Sequence, residues 1–214
     1  MKGGVDLFIA FSGIDGAGKT TIINAIERWL RSEGYNVNSM KSVKGDSIYC
    51  NNFEKIISNY KKTYSENFPG KYGSIILAFK LFQESEEIKS FSRDNNIILM
   101  DRWKLCHDAY SSAYLLNSKA LKSILDNCIE PDITFLIDVN LSVALERISQ
   151  RDVIKKQETY PVLYRAKKRY LQAAKEKNNI FLIGNSDGEL NEAIEKIKII
   201  IIKYLGNHNL VKSV

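Results

Sequence analysis

The sequence predicts an α/β fold in which a parallel sheet carries helices on both faces, and three observations point there. Short, mostly apolar runs that read as buried strands fall at 6–11, 35–40, 97–100, 133–139 and 180–183. Segments of helical spacing separate them, which is the order of a wound parallel sheet rather than of hairpins. The chain has 214 residues, 44% hydrophobic, and no Pro- or Ser-rich linker divides it, so one core and one domain follow.

The elements follow in order. The strand at 6–11 leads into a helix marked by Ile22, Ile23, Ala25, Ile26 and Leu30, and Gly34 stands just past its end, where a C-terminal glycine belongs. After the strand at 35–40, helical patterns occupy 52–64 and 72–93. The strand at 97–100 precedes a helix over 110–127, and Pro131 stands before the strand at 133–139. Helices over 141–150 and 160–177 flank a short charged segment. The last strand, 180–183, gives way to a helix over 189–205 whose IKIIIIKYL run predicts a wide buried face. In such a sheet, ligands collect at the carboxyl ends of the strands.

One of those ends carries FSGIDGAGKTT. Gly13, Gly18, Lys19 and Thr20 have the spacing of a phosphate-binding loop, which places the chain in the P-loop NTPase type of three-layer fold. Gly13, Gly16 and Gly18 let backbone N–H groups turn inward around phosphate oxygens, with Asp15 and Ala17 between them and Thr21 opening the helix. Lys19 adds a point charge and Thr20 a hydroxyl for Mg²⁺. The helix N-terminus points its dipole at the anion.

Two further groups suit phosphoryl transfer. Asp101 directly follows an apolar strand, where a carboxylate reaches the coordination sphere of the Mg²⁺ held by Thr20. Arg102, next to it, offers a fork of donors for a second phosphate. Farther on, Arg147, Arg151, Lys155 and Lys156 cluster between two helices, as in a lid that excludes water and supplies charge.

The formal charge of +6 is scattered over the chain, as on solvated helix faces. A nucleic-acid surface needs basic and aromatic residues massed on one face; NYKKTYSENFPGKYG is the one candidate, and it fits better as a loop and helix start beside an acceptor pocket, so no nucleic-acid partner is expected. Cys50, Cys106 and Cys128 are odd in number and widely spaced, against a disulfide framework or zinc site and in keeping with the cytoplasm. The N-terminal apolar run is too short for a signal peptide or a span, so no membrane partner is expected either.

With these parts in this order, the chain resembles the thymidylate kinase family. The resemblance rests on GIDGAGKTT at 13–21, DRW at 101–103 with Ala109 and Tyr110, PDITFLIDV at 131–139, and the tail from LERISQR through YRAKKRYL. It implies transfer of the γ-phosphoryl group of ATP to dTMP with Mg²⁺, a five-stranded parallel sheet and a homodimer. It also implies that Asp15 sits near the acceptor's sugar and phosphate, that Arg102 grips that phosphate, and that Tyr110 lies near sugar and base. Gly16 stands where one branch of the family has an arginine, so a mobile lid over roughly 147–159 would supply the catalytic charge through Arg151, with Arg147 against the adenine.

Departures from the family concentrate on the acceptor side. Ser12 replaces the usual glutamate before the loop, and Lys41 in MKSVKG stands for an arginine without its bidentate geometry. The arginine that reads the thymine carbonyl falls on Lys80 or Leu81, and the base-reading amides and hydroxyls fall on Cys106 and His107. A kinase for another nucleoside monophosphate or for a deoxynucleoside therefore stays open, though Arg102 and Lys41 have little to hold without an acceptor phosphate. A nucleotide switch typically carries a guanine-reading Asn-Lys-x-Asp, which EKNNI does not match.

Overall fold

The structure is a computed structural model that describes residues 7–42, 71–90, 96–116, 118–151 and 158–207. The helix expected at 52–64, Cys50, positions 59–70 of the basic, aromatic stretch, and positions 152–157 of the expected lid with Lys155 and Lys156 lie outside the described residues. Strand β1 (Leu7–Ser12) is buried along its whole length and forms the centre of a five-stranded parallel sheet. Its companions are β2 (Asn36–Lys41), β3 (Asn96–Asp101), β4 (Ile133–Asp138) and β5 (Ile180–Gly184), in the order β2-β3-β1-β4-β5. The order reverses around β1, which opens a crevice at the carboxyl ends of β1 and its neighbours.

Side chains of β1 alternate between two cores, as a period of two requires. Leu7, Ile9 and Phe11 pack with Ile22, Ile26 and Leu30 of helix α1 (Lys19–Ser32) and with Ile197 and Ile201 of α7 (Leu190–Asn207). Phe8 and Ala10 face Ala78, Leu81 and Ile88 of α2 (Lys71–Ser90) and Leu121 and Leu125 of α4 (Lys119–Asp126). Phe8 meets Trp103 edge to face at 5.4 Å. The remaining helices are α3 (Lys104–Ala113), α5 (Leu141–Ser149) and α6 (Tyr160–Glu176), with α3 packed along α6.

Two expectations are corrected. The helix expected at 110–127 is two helices, α3 and α4, because the chain supplies a stop and a start between them. Leu115 takes a left-handed φ of 58°, and the N–H groups of Leu115 and Leu116 bond back to Ser112 and Ser111, closing a Schellman turn. The Ser118 hydroxyl then caps α4 by accepting from Leu121 N at 3.1 Å. The face of α7 is also narrower than its isoleucine run suggests: Ile197, Ile201 and Leu205 are buried at i, i+4 spacing, while Ile199 and Ile202 are exposed.

Candidate active site

Three strand ends and one loop build the site. After Ser12 the chain turns through Gly13–Gly18 and enters α1 at Lys19, with Gly18 in the left-handed region at φ 82°. Gly16, at φ 81°, lies against α5 so closely that a Cβ there would collide with the Ala144 carbonyl oxygen and sit 2.9 Å from Ala144 Cα. A side chain is therefore excluded at Gly16 by packing as well as by backbone conformation. Lys19 folds back over the loop, where its ammonium donates to the Gly13 and Ile14 carbonyls at 3.0 and 2.8 Å. Burial, helped by the positive charge of Arg102, lowers its pKa to about 8.

The sheet register sets Lys41, Asp101 and Phe11 side by side across β2, β3 and β1. Asp101 is thus the last residue of β3 rather than the first of a loop. Its Oδ2 takes the Lys41 ammonium at 3.0 Å and the Thr20 hydroxyl at 3.4 Å. Its Oδ1 is buried and has no hydrogen bond among the described residues.

Arg102 follows in a left-handed conformation, φ 72°, held by its N–H donating to Phe11 O at 2.9 Å. That turn sends the guanidinium to Asp15 of the loop, with which it is ion-paired. Tyr110 completes the group: its hydroxyl donates to Asp15 Oδ2 at 2.6 Å and accepts from Asp15 N at 3.1 Å, and Arg102 lies 5.7 Å from its ring centroid. Burial and the Asp15 charge push the Tyr110 pKa up, so the hydroxyl keeps its proton.

Cys106 and His107 lie four and three positions before Tyr110 on α3, on the same side of the helix. Cys106 donates to the Ser12 hydroxyl at 3.6 Å, joining two of the departures from the family pattern. His107 is buried, with Nδ1 3.2 Å from Ser111 Oγ, which in turn meets Ser74 Oγ at 2.6 Å. Burial lowers the His107 pKa and favours the neutral ring. Lys80 is buried beside Glu84 at 3.8 Å, and Glu84 accepts from Ser42 Oγ at 2.8 Å. Leu81 is fully buried in the α2–α4 core and does not reach the site.

On the donor side, Arg147 donates to Asn185 O at 3.0 Å and to Gly16 O at 3.4 Å, and lies 3.6 Å from Asp187. Arg151 pairs with the buried Glu158 at 2.8 Å and touches no loop residue among those described. Asn185, which sequence reasoning missed, donates to Ala17 O at 2.7 Å and braces the loop from the end of β5. Its signal was positional, since it directly follows a strand at the sheet edge where the loop lies.

A phosphate cradle beside a cation and hydroxyl cluster, joined through Asp15, is a site for two substrates. The family model for thymidylate kinase matches residues 11–197. The chain belongs to the thymidylate kinase family. A probable thymidylate kinase of Sulfurisphaera tokodaii is 30% identical over 91% of this chain and 95% of its own length. Another from Archaeoglobus fulgidus is 29% identical over 97% and 99%. The fold matches that of the Candida albicans thymidylate kinase, with a TM-score of 0.71 at 15% identity over 97% and 95% of the two chains. The Ehrlichia chaffeensis thymidylate kinase gives 0.66 at 21% over 92% and 98%. As a thymidylate kinase family member, the protein is an ATP-dependent nucleoside monophosphate kinase with a P-loop fold. No described helix is long and apolar enough to cross a membrane.

Proposed function

We propose that the enzyme transfers the γ-phosphoryl group of ATP to dTMP, giving dTDP and ADP. The observation that carries this reading is the Arg102–Asp15–Tyr110 cluster, which is built into the phosphate loop through Asp15. Donor and acceptor sites then share a wall, as in-line transfer requires.

The loop N–H groups of Gly13, Asp15, Gly16, Ala17, Gly18 and Lys19 take the donor phosphates, with Thr21 in the first turn of α1. Lys19 exchanges the Gly13 and Ile14 carbonyls for phosphate oxygens, whose charge keeps it protonated. Thr20 and Asp101 fit Mg²⁺: the buried Asp101 Oδ1 lacks a hydrogen bond among the described residues, and its Oδ2 already meets the Thr20 hydroxyl. When bound, Mg²⁺ neutralises the phosphate charge. Asp15 spends its two oxygens on Arg102 and Tyr110, orienting the guanidinium so that its other donors meet the acceptor phosphate. Lys41 adds charge from β2. No strong base is needed, because positioning and charge stabilisation carry the transfer.

Arg147 holds the loop and the β5 end where the adenine enters, and Arg151, from the lid expected over roughly 147–159 of this single domain, supplies the catalytic charge. His107 and Lys80 face the base side of the acceptor. The buried free Cys106 and Cys128 support a reducing, cytoplasmic location. A homodimer is what membership of the family suggests. An ADP-release assay with Mg-ATP and a panel of acceptors tests the reading. Phosphorylation of dTMP well above UMP, dCMP, dGMP and thymidine supports it; ATP hydrolysis without acceptor preference overturns it.

A further inference from the structure

Two groups from different elements meet at one oxygen of Asp101. The Lys41 ammonium lies 3.0 Å from Oδ2 and the Thr20 hydroxyl 3.4 Å from the same atom, while the buried Oδ1 has no hydrogen bond among the described residues. The backbones beneath them are fixed. Lys41 stands in register with Asp101 across β2 and β3, and the Ser42 N–H donates to Asp101 O at 3.1 Å. The Ser42 hydroxyl donates in turn to Glu84 of α2 at 2.8 Å. What stays adjustable is the Lys41 side chain, which is 40% exposed against 8% for Asp101.

Lys19 and Arg102, the neighbouring cations, lack that freedom. Lys19 is buried with its ammonium on the Gly13 and Ile14 carbonyls, and the Arg102 guanidinium is ion-paired with Asp15. An ammonium on a flexible stem holds a carboxylate as a point charge, without the fork that would lock it there. A hard dication prefers carboxylate and hydroxyl oxygens, and Asp101 and Thr20 offer both. Ammonium and dication at Oδ2 would repel each other as like charges at close range. One of them leaves, and the exposed, flexible side chain is the one able to.

We infer that Lys41 is an exchangeable counter-ion: it gives up Asp101 to a metal–nucleotide complex, and the released ammonium serves the acceptor phosphate beside Arg102. The exchange rests on the proposed reading of Thr20 and Asp101 as the metal site and of Lys41 as an acceptor contact. It has two consequences of opposite sign. Metal at Asp101 strengthens acceptor binding, because a cation is freed for the phosphate. Lys41 itself weakens metal binding, because it competes for the same oxygen. By linkage, a bound acceptor phosphate tightens the metal complex by the same factor as the metal tightens the acceptor.

Calorimetry on the full chain tests the exchange, with a non-hydrolysable ATP analogue and dTMP each titrated in Mg²⁺ and in EDTA. In the wild type, Mg²⁺ raises the affinity of dTMP for the analogue complex by about fivefold or more. In Lys41→Met, which keeps the stem, that gain falls below about twofold, while the gain that Mg²⁺ gives the analogue itself grows by about threefold. Lys41→Gln repeats the result with a neutral polar head. In Asp101→Asn, the gain that Mg²⁺ gives the analogue shrinks. If Asp101→Asn leaves that gain unchanged, the metal lies elsewhere and the exchange falls with the metal reading. If Asp101→Asn loses it but the Lys41 variants match the wild type in either gain, the exchange alone is overturned. A wild type that binds no dTMP overturns the acceptor reading instead, and the analogue titrations, which need no acceptor, then decide the exchange.

Discussion

The Arg102 guanidinium is ion-paired with the Asp15 carboxylate across 87 positions of sequence. The pair ties the end of β3 to the phosphate loop, so whatever Arg102 grips is held at a fixed place relative to the donor phosphates. Arg102→Ala is expected to lower kcat/KM for dTMP by about 10²–10³-fold while the ATP dissociation constant stays within about threefold. Arg102→Lys does not restore activity, because an ammonium lacks the fork that serves Asp15 and a phosphate together. Steady-state kinetics with separate ATP titration decides it; equal losses for both substrates sink the assignment.

Tyr110 holds the other side of Asp15. Its hydroxyl serves as donor to Oδ2 and acceptor for the Asp15 N–H, so Tyr110→Phe removes two bonds at once. The expected result is a KM for dTMP raised about tenfold, with a loss of stability of roughly 1–3 kcal/mol from the groups left without that partner. Thermal melts of the free enzyme and dTMP saturation curves measure the two parts. A KM unchanged within error places the acceptor elsewhere.

Lys19 gives nucleotide binding a pH signature. Its pKa of about 8 in the free enzyme stands below the ordinary 10.5, and bound phosphates favour the ammonium and raise it. The complex then holds more protons than the free enzyme above pH 8, so ATP affinity falls as pH rises through that value. At pH 8.5, calorimetry in buffers of different ionisation enthalpy should show proton uptake on binding, and no such uptake at pH 6.5 from this group. Proton release at pH 8.5 contradicts the account.

The phosphate loop and the Asp-Arg step were legible in the chain because both are local: glycine spacing and a polar pair at the end of an apolar run suffice to place them. The three central strands were legible for the same reason, each being a short buried run, while the edge strands β2 and β5 are only partly buried and were legible from their spacing between helices. Long-range contacts were not. Nothing in the spacing says that Asn185 reaches back to Ala17, or that Glu158 lies buried against Arg151, because these depend on the order in which strands assemble. The break between α3 and α4 was missed because apolar residues continue through Leu115 and Leu116, while a backbone turn and the Ser118 cap decide the boundary. On the acceptor side, Leu81 and Lys80 are adjacent in sequence, but one joins the core and the other meets Glu84.

Gly16 shows why charge cannot be added to this loop. Arginine there would need a left-handed backbone and would drive its Cβ into the Ala144 backbone of α5. Gly16→Arg is expected to destabilise the enzyme by about 2–4 kcal/mol and to lower activity rather than raise it. Gly16→Ala carries most of the stability loss, since the Cβ alone makes the collision. Melting temperatures of the two variants beside kcat give the comparison; a stable, faster Gly16→Arg enzyme refutes the packing argument.

With that position closed, the function proposed above draws transition-state charge from Arg151. Its side chain is about half exposed, and its one partner among those described, Glu158, lies seven positions on. The partner is buried, while Arg151 itself keeps access to solvent. An arginine that stabilises charge only in the transition state costs turnover, not ground-state affinity. Arg151→Ala should therefore lower kcat by about 10²-fold or more, with the ATP dissociation constant within about threefold. Glu158→Gln, which keeps the shape but weakens the ion pair, should change kcat by less than about tenfold. If Arg151→Ala weakens ATP binding as much as turnover, the arginine serves nucleotide binding, and the catalytic charge falls to Arg147.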